Sequence, residues 1–188
     1  FETYIQSMLA EIEAARNRTE EYARSLEDTV ARRTGELRTD SLTGLTSRRY
    51  LHDDLHRTLQ SAQRRNEPVS MVFVYVVNFK EINDRKGHAH GDKVLQELGR
   101  ILLETARGED SCVRFGGDEF CVVLANATEE ETVRTYCQRV KTLLAECYPD
   151  VTISMGVTQT GPHQYEEADA LLRHADTCMY SQKNSNKN

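Results

Sequence analysis

Two periods of hydrophobicity divide this chain, and their order predicts its architecture. At the start, Ile5, Met8, Ile12, Ala15, Thr19, Tyr22 and Leu26 recur at alternating three- and four-residue spacing, the mark of a helix with one apolar seam. After Tyr22 the seam continues through Leu26, Val30, Arg33 and Leu37, a slip that resembles a four-residue stutter. The seam can pair with a second copy as a parallel coiled coil or fold back on its own domain. Its heavily charged flanks favour the pair. Gly35, then Thr39-Asp40-Ser41 and Gly44, interrupt the helix and place a boundary between a segment 1–38 and a domain 39–188.

Within the domain the pattern alternates between strand and helix. Ser47 is placed to cap a helix carrying Leu51, Leu55, Leu59 and Ala62 on one face, ended by Glu67-Pro68. Val69 to Val77 reads as a buried strand rich in β-branched residues. A segment punctuated by Gly87 and Gly91 leads to a helix from about Asp92, with Val94, Leu95, Leu98, Ile101 and Leu102 inward. A hairpin follows, with Val113 and Phe115 on one side of a Gly-Gly pair and Phe120, Val122 and Leu124 on the other. Thr128 and Glu131 form a capping box for a helix carrying Val133, Tyr136, Cys137, Val140 and Leu144 on one face. Val151 to Thr158 reads as a further strand and Ala168 to Lys183 as a final helix. The order strand, helix, strand, strand, helix, strand predicts an α+β domain: a ferredoxin-like antiparallel sheet with helices on one face.

Composition narrows the function. With 24 basic and 30 acidic residues the net charge is −6, which argues against a sequence-independent nucleic-acid binder. The five cysteines, 112, 121, 137, 147 and 178, show no metal spacing and read as buried thiols of a reducing cytosol. The longest apolar run, Met71 to Val77, is too short to span a bilayer. The chain opens at Phe1 without a methionine, so it is expected to be a piece of a longer sensor in the cytoplasm, its missing upstream part sensory or membrane-anchored.

The chemistry concentrates in Arg114-Phe115-Gly116-Gly117-Asp118-Glu119-Phe120. Glycine tolerates positive φ and lets backbone amides approach a bulky anion. Adjacent carboxylates suit a divalent cation, and a cation beside bare backbone suits a nucleoside triphosphate. Residue types alone leave a plain solvated hairpin equally open.

This heptapeptide resembles the signature of the bacterial GGDEF domains, the diguanylate cyclases. Asp40-Ser41-Leu42-Thr43-Gly44-Leu45-Thr46-Ser47-Arg48 is similar to the family's DxLTGLxNR motif, with Ser47 where Asn is usual. Phe79-Lys80-Glu81-Ile82-Asn83-Asp84, Gly87-His88 and Gly91-Asp92 resemble FKxINDxxGHxxGD. Ala175-Asp176 through Tyr180 and Lys183 resembles ADxALYxAK.

The resemblance implies a cyclase-palm sheet and a homodimer, held here by the N-terminal coiled coil, that condenses two GTP into cyclic di-GMP with release of pyrophosphate. It implies Mg2+ or Mn2+ held by Asp118, Glu119 and the Val76 carbonyl, with Glu119 assisting deprotonation. Gly116 and Gly117 would seat the nucleotide alongside Phe79 and Lys80, Asn83 and Asp92 would read guanine, and Lys183 and Lys187 would neutralise phosphates. Arg107-Gly108-Glu109-Asp110, five residues before Gly116, resembles the family's RxxD product-inhibition site, with Arg139 as a second contact. A guanidinium fork suits phosphate or a guanine edge.

One departure stands out. Where the family's strand ends in DxDxFK, this chain reads Tyr75-Val76-Val77-Asn78-Phe79-Lys80, so a neutral phenol replaces the first carboxylate. Three readings follow: a product-inhibited cyclase on a reduced metal set, a silent module binding GTP or cyclic di-GMP, or a dimeric scaffold.

Overall fold

A computed structural model describes residues 38–173. The coiled-coil seam, Lys183, Lys187, Cys178 and most of the final helix lie outside the described residues. The elements run β1 (Thr46–Ser47), a 3-10 turn (Arg48–Tyr50), α1 (Leu51–Arg65), β2 (Val69–Val76), α2 (Phe79–Lys86), α3 (His88–Thr105), β3 (Ser111–Arg114) and β4 (Glu119–Ala125). The next helix, α4, has an α-helical start at Glu129–Glu131, a π-helical segment Thr132–Cys137 and an α-helical body Gln138–Cys147. β5 (Ile153–Thr160) follows, and a last helix begins at residue 168.

The five strands lie in the order β1-β3-β4-β2-β5. All long pairings are antiparallel; β1, which the hydrophobic pattern does not reveal, pairs parallel to β3 at Thr46↔Val113 and Ser47↔Arg114. The sheet is the expected antiparallel one in its body, but helices cover both of its faces rather than one. On one face Val72, Val74 and Val76 join Phe120 and Val122 against α3 and α4. On the other, Met71 and Phe73 join Val113, Cys121 and Val123 against Leu51, Leu55 and Leu59 of α1 and Leu171 of the last helix. All eight residues of β2 are therefore buried. A strand apolar at every position but Ser70, whose hydroxyl donates to Ala127 O, is what two covered faces demand, whereas a half-covered sheet would alternate.

Local chemistry moves several boundaries. Ser47 is extended before the 3-10 turn and makes no side-chain capping bond; α1 starts at Leu51, not at Ser47. The glycine-punctuated stretch is helical, and Gly87, at φ 85°, separates α2 from α3, a conformation costly for a residue with a Cβ. The predicted cap of α4 holds: Thr128 Oγ1 accepts from Glu131 N at 3.3 Å. Val133, expected inward, is 51% exposed, and Thr132 is buried in its place. The π segment inserts one extra residue per turn and rotates everything before it off the register set by Val140 and Leu144. Of the described cysteines, 112, 121 and 137 are buried as expected, while Cys147 is exposed.

Candidate functional site

The β3–β4 hairpin presents its turn beside the end of β2. Phe115 N and Gly116 N both donate to Glu119 O, at 2.8 and 3.1 Å, and Val76 N donates to Asp118 O at 3.1 Å. Gly116 and Gly117 are not among the glycines with positive φ, so the expected backbone reason does not apply to them. At Gly116 a Cβ would lie 2.8 Å from Glu119 Oε2, so a larger residue would displace that carboxylate. Gly117 is exposed and open to a ligand's approach.

One side chain fastens this turn. Arg114 Nε donates to Gly116 O at 3.2 Å and Nη2 to Gly117 O at 2.8 Å, while Nη1 donates to Asp40 Oδ1 at 2.9 Å. Asp40 Oδ1 also accepts from the amide and hydroxyl of Thr43, at 2.9 and 2.7 Å. Burial pulls the Asp40 carboxyl upward, but the Thr43 hydroxyl and the Arg114 guanidinium outweigh it and hold the group below its ordinary value. Arg48 stacks over Phe115, 4.2 Å from the ring centroid. The opening motif thus belongs to the turn's support. Sequence reasoning named Arg114 only as the start of the heptapeptide and gave it no role; its place at the flank of a four-residue loop is the signal that could have supplied one.

Tyr75 lies directly opposite Glu119 in the β2–β4 register and opposite Ser154 in the β2–β5 register. Val76 and Asp118 form the hydrogen-bonded pair beside them, so Tyr75 and Glu119 form a non-hydrogen-bonded pair, the kind whose side chains come closest. Tyr75 is 6% exposed. Among the described residues no group of three or more His, Cys, Asp or Glu side chains is placed to hold a metal ion. Asp118 and Glu119, flanked by a neutral phenol, do not fit a two-ion centre.

The expected guanine readers fall on α2 and α3. Asn83 Oδ1 is buried with no hydrogen-bond partner among the described residues. It is held against Gly91, where a Cβ would sit 1.9 Å from Asn83 Oδ1 and 3.1 Å from Phe79 Cζ. Asp92 follows Gly91 and is exposed, as is Lys80. An orphaned amide oxygen beside an exposed carboxylate leaves polar groups available to a ligand.

The RxxD residues and Arg139 come together. A cavity of about 290 Å³ has Arg107, Asp110, Glu131 and Arg139 in its lining, together with the buried Leu124, Tyr136 and Thr132. Asp110 Oδ2 accepts from Arg107 N at 2.6 Å and Oδ1 from Ala125 N at 3.0 Å. Burial nonetheless pushes the Asp110 carboxyl above its ordinary value. Tyr136 donates its hydroxyl to Leu102 O at 3.1 Å, which fixes its ring.

An antiparallel α+β sheet covered on both faces, carrying a Gly-Gly-Asp-Glu hairpin and a pocket lined by two arginines and two carboxylates, defines a domain of the cyclase-palm class. The chain belongs to the GGDEF family: the family model "Diguanylate cyclase, GGDEF domain" matches residues 37–188. It is 33% identical over 155 residues to the diguanylate cyclase DosC of Escherichia coli K12, covering 79% of this chain and 34% of that protein. It is 31% identical over 153 residues to the cyclic di-GMP phosphodiesterase PdeR of the same strain, covering 77% of this chain and 22% of that one. The chain spans about a third or less of the length of these two relatives. In fold it is similar to the coiled coil and GGDEF domain of DgcB from Caulobacter crescentus, solved in complex with c-di-GMP. The TM-score is 0.79 at 21% identity, over 93% of this chain and 95% of that one.

Proposed function

We propose that this domain binds GTP and cyclic di-GMP with the apparatus of a diguanylate cyclase, and that its condensation of two GTP is held to a low rate by Tyr75. The observation that carries this reading is the pairing of Tyr75 with Glu119 at the mouth of the Gly116-Gly117 turn. In the full reaction the 3′-oxygen of one GTP bonds to the α-phosphorus of the other, pyrophosphate leaves, and the hydroxyl proton is lost; two such steps close the ring. The chain's own contribution is seating. Gly116 and Gly117 offer a bare edge, Asn83 and Asp92 offer an amide and a carboxylate to guanine's edge, and Lys80, Lys183 and Lys187 supply positive charge to the phosphates. Glu119 is the carboxylate nearest the reacting hydroxyl in this reading.

Mg2+ or Mn2+, used generally by the family's cyclases, would add charge neutralisation at the phosphates. Here Asp118, Glu119 and the Val76 carbonyl offer such an ion a reduced set of donors. Two domains must face each other for closure, which supports a homodimer through the segment 1–38, because tethering raises the effective concentration of one half-site at the other. The cytoplasm, where GTP is abundant, is the compartment this reading requires.

A second reading is a receptor without turnover, in which cyclic di-GMP at Arg107, Asp110 and Arg139 is the signal. It is favoured by the formed cavity there and by the match to a segment of a protein named for another activity. Chromatography of the dimer incubated with GTP and Mn2+ separates the two. Slow formation of cyclic di-GMP supports the first reading; none at high protein concentration, with cyclic di-GMP still bound, supports the second.

A further inference from the structure

Thr132 is the odd residue among the described helical threonines. Thr58, Thr105, Thr135 and Thr142 each donate their hydroxyl to the carbonyl four residues earlier, at 2.7–3.0 Å. Thr132 is 1% exposed, and its Oγ1 has no hydrogen-bond partner among the described residues. A buried hydroxyl without a partner is costly, and native folds rarely keep one without use. Thr132 lies in the lining of the cavity that opens between Arg107 and Arg139. It is there because the π-helical segment starts at this residue and turns it inward in place of Val133.

We infer that the Thr132 hydroxyl is the contact to the polar edge of a base entering this cavity from the Arg107 site. The lining groups differ in exposure, and the exposed Glu131 carboxylate is among them. Exposed Arg107 and Arg139 stand at the rim, where paired guanidinium forks suit a phosphodiester. Leu124, Ala127 and the pinned ring of Tyr136 form an apolar wall suited to a flat heteroaromatic ring. Thr132 supplies one group within that wall able to donate or accept. Asp110 is a positioning residue, because each of its oxygens already accepts a backbone amide and so shapes the Arg107 loop.

The inference rests on the reading that cyclic di-GMP binds at Arg107, and the test separates the two. Calorimetric titration of the 188-residue chain with cyclic di-GMP compares wild type with Arg107→Ala, Thr132→Val and Thr132→Ser. Thr132→Val keeps the shape and removes the hydroxyl, so affinity is expected to fall about fivefold or more while the ligand-free Tm holds or rises. Thr132→Ser keeps the hydroxyl and is expected to bind within about twofold of wild type. Binding lost in Arg107→Ala but untouched in Thr132→Val would overturn the Thr132 contact alone. Equal losses in the Val and Ser variants would also overturn it, assigning the effect to packing. Absence of binding by the wild type would overturn both the contact and the site.

Discussion

Tyr75 and Glu119 face each other across β2 and β4 as a non-hydrogen-bonded pair, with Ser154 on the far side of Tyr75. Replacing Tyr75 by Asp puts a carboxylate at a position that is 6% exposed, opposite that of Glu119. Like charges so placed repel and are costly to bury. The variant is expected to have a lower Tm without divalent cations and to regain it with Mn2+, while wild type responds little. Its rate of cyclic di-GMP formation is expected to rise on the order of tenfold or more, read by chromatography. A metal-insensitive Tm with an unchanged rate would place the lesion elsewhere.

Arg114 ties the turn carbonyls of Gly116 and Gly117 to Asp40. Arg114→Ala should destabilise the domain by about 1–3 kcal/mol, because three acceptors lose a charged donor. Arg114→Lys should recover little of this, since an ammonium cannot span the fork's partners. Urea unfolding midpoints measure both.

Gly91 is the only residue type that lets α3 close over Asn83. An alanine Cβ would meet Asn83 Oδ1 at 1.9 Å, so Gly91→Ala must turn the amide away. Affinity for a fluorescent GTP analogue is expected to fall about tenfold, with far-UV circular dichroism unchanged. Retained affinity would remove Asn83 from the nucleotide site.

The pH response follows from Asp40, whose folded carboxyl lies below its ordinary value of 3.8. Its stabilisation is complete above that value and is lost as pH falls through the lower folded one. Urea midpoints should therefore drop as the medium is acidified below 3.8, and the drop should be shallower in Asp40→Asn.

Much of the fold was legible because α1 and α3 each carry one apolar stripe and each long strand is bounded by turn residues. The hairpin, the Thr128 cap and the inward faces of α1 and α3 all follow from that. The burial of both faces of β2 was also written in its unbroken apolar run, but only if read as two-sided burial. Other features lay beyond any local pattern. Thr46–Ser47 is too short to show a period, and the π segment shows no sequence mark distinguishing it from an α-helix until Val133 is found outside. At the site, Arg107, Asp110 and Arg139, grouped by resemblance, line one cavity, whereas Gly116 leaves room for the Glu119 carboxylate rather than supplying a positive φ. Asp40 and Arg114 are 74 residues apart, and only the parallel β1–β3 pairing explains their meeting.

The strand order has a consequence for how this chain is made. β2 is flanked by β4 and β5, and β5 begins only at Ile153. Until that segment leaves the ribosome, the sequence Val-Ser-Met-Val-Phe-Val-Tyr-Val offers a bare edge along its whole length. Such an edge, apolar and free of charge and proline, is a template for another nascent chain. β5 therefore serves as the closing cover of the exposed β2 edge, and truncations ending before residue 153 are the ones that should precipitate.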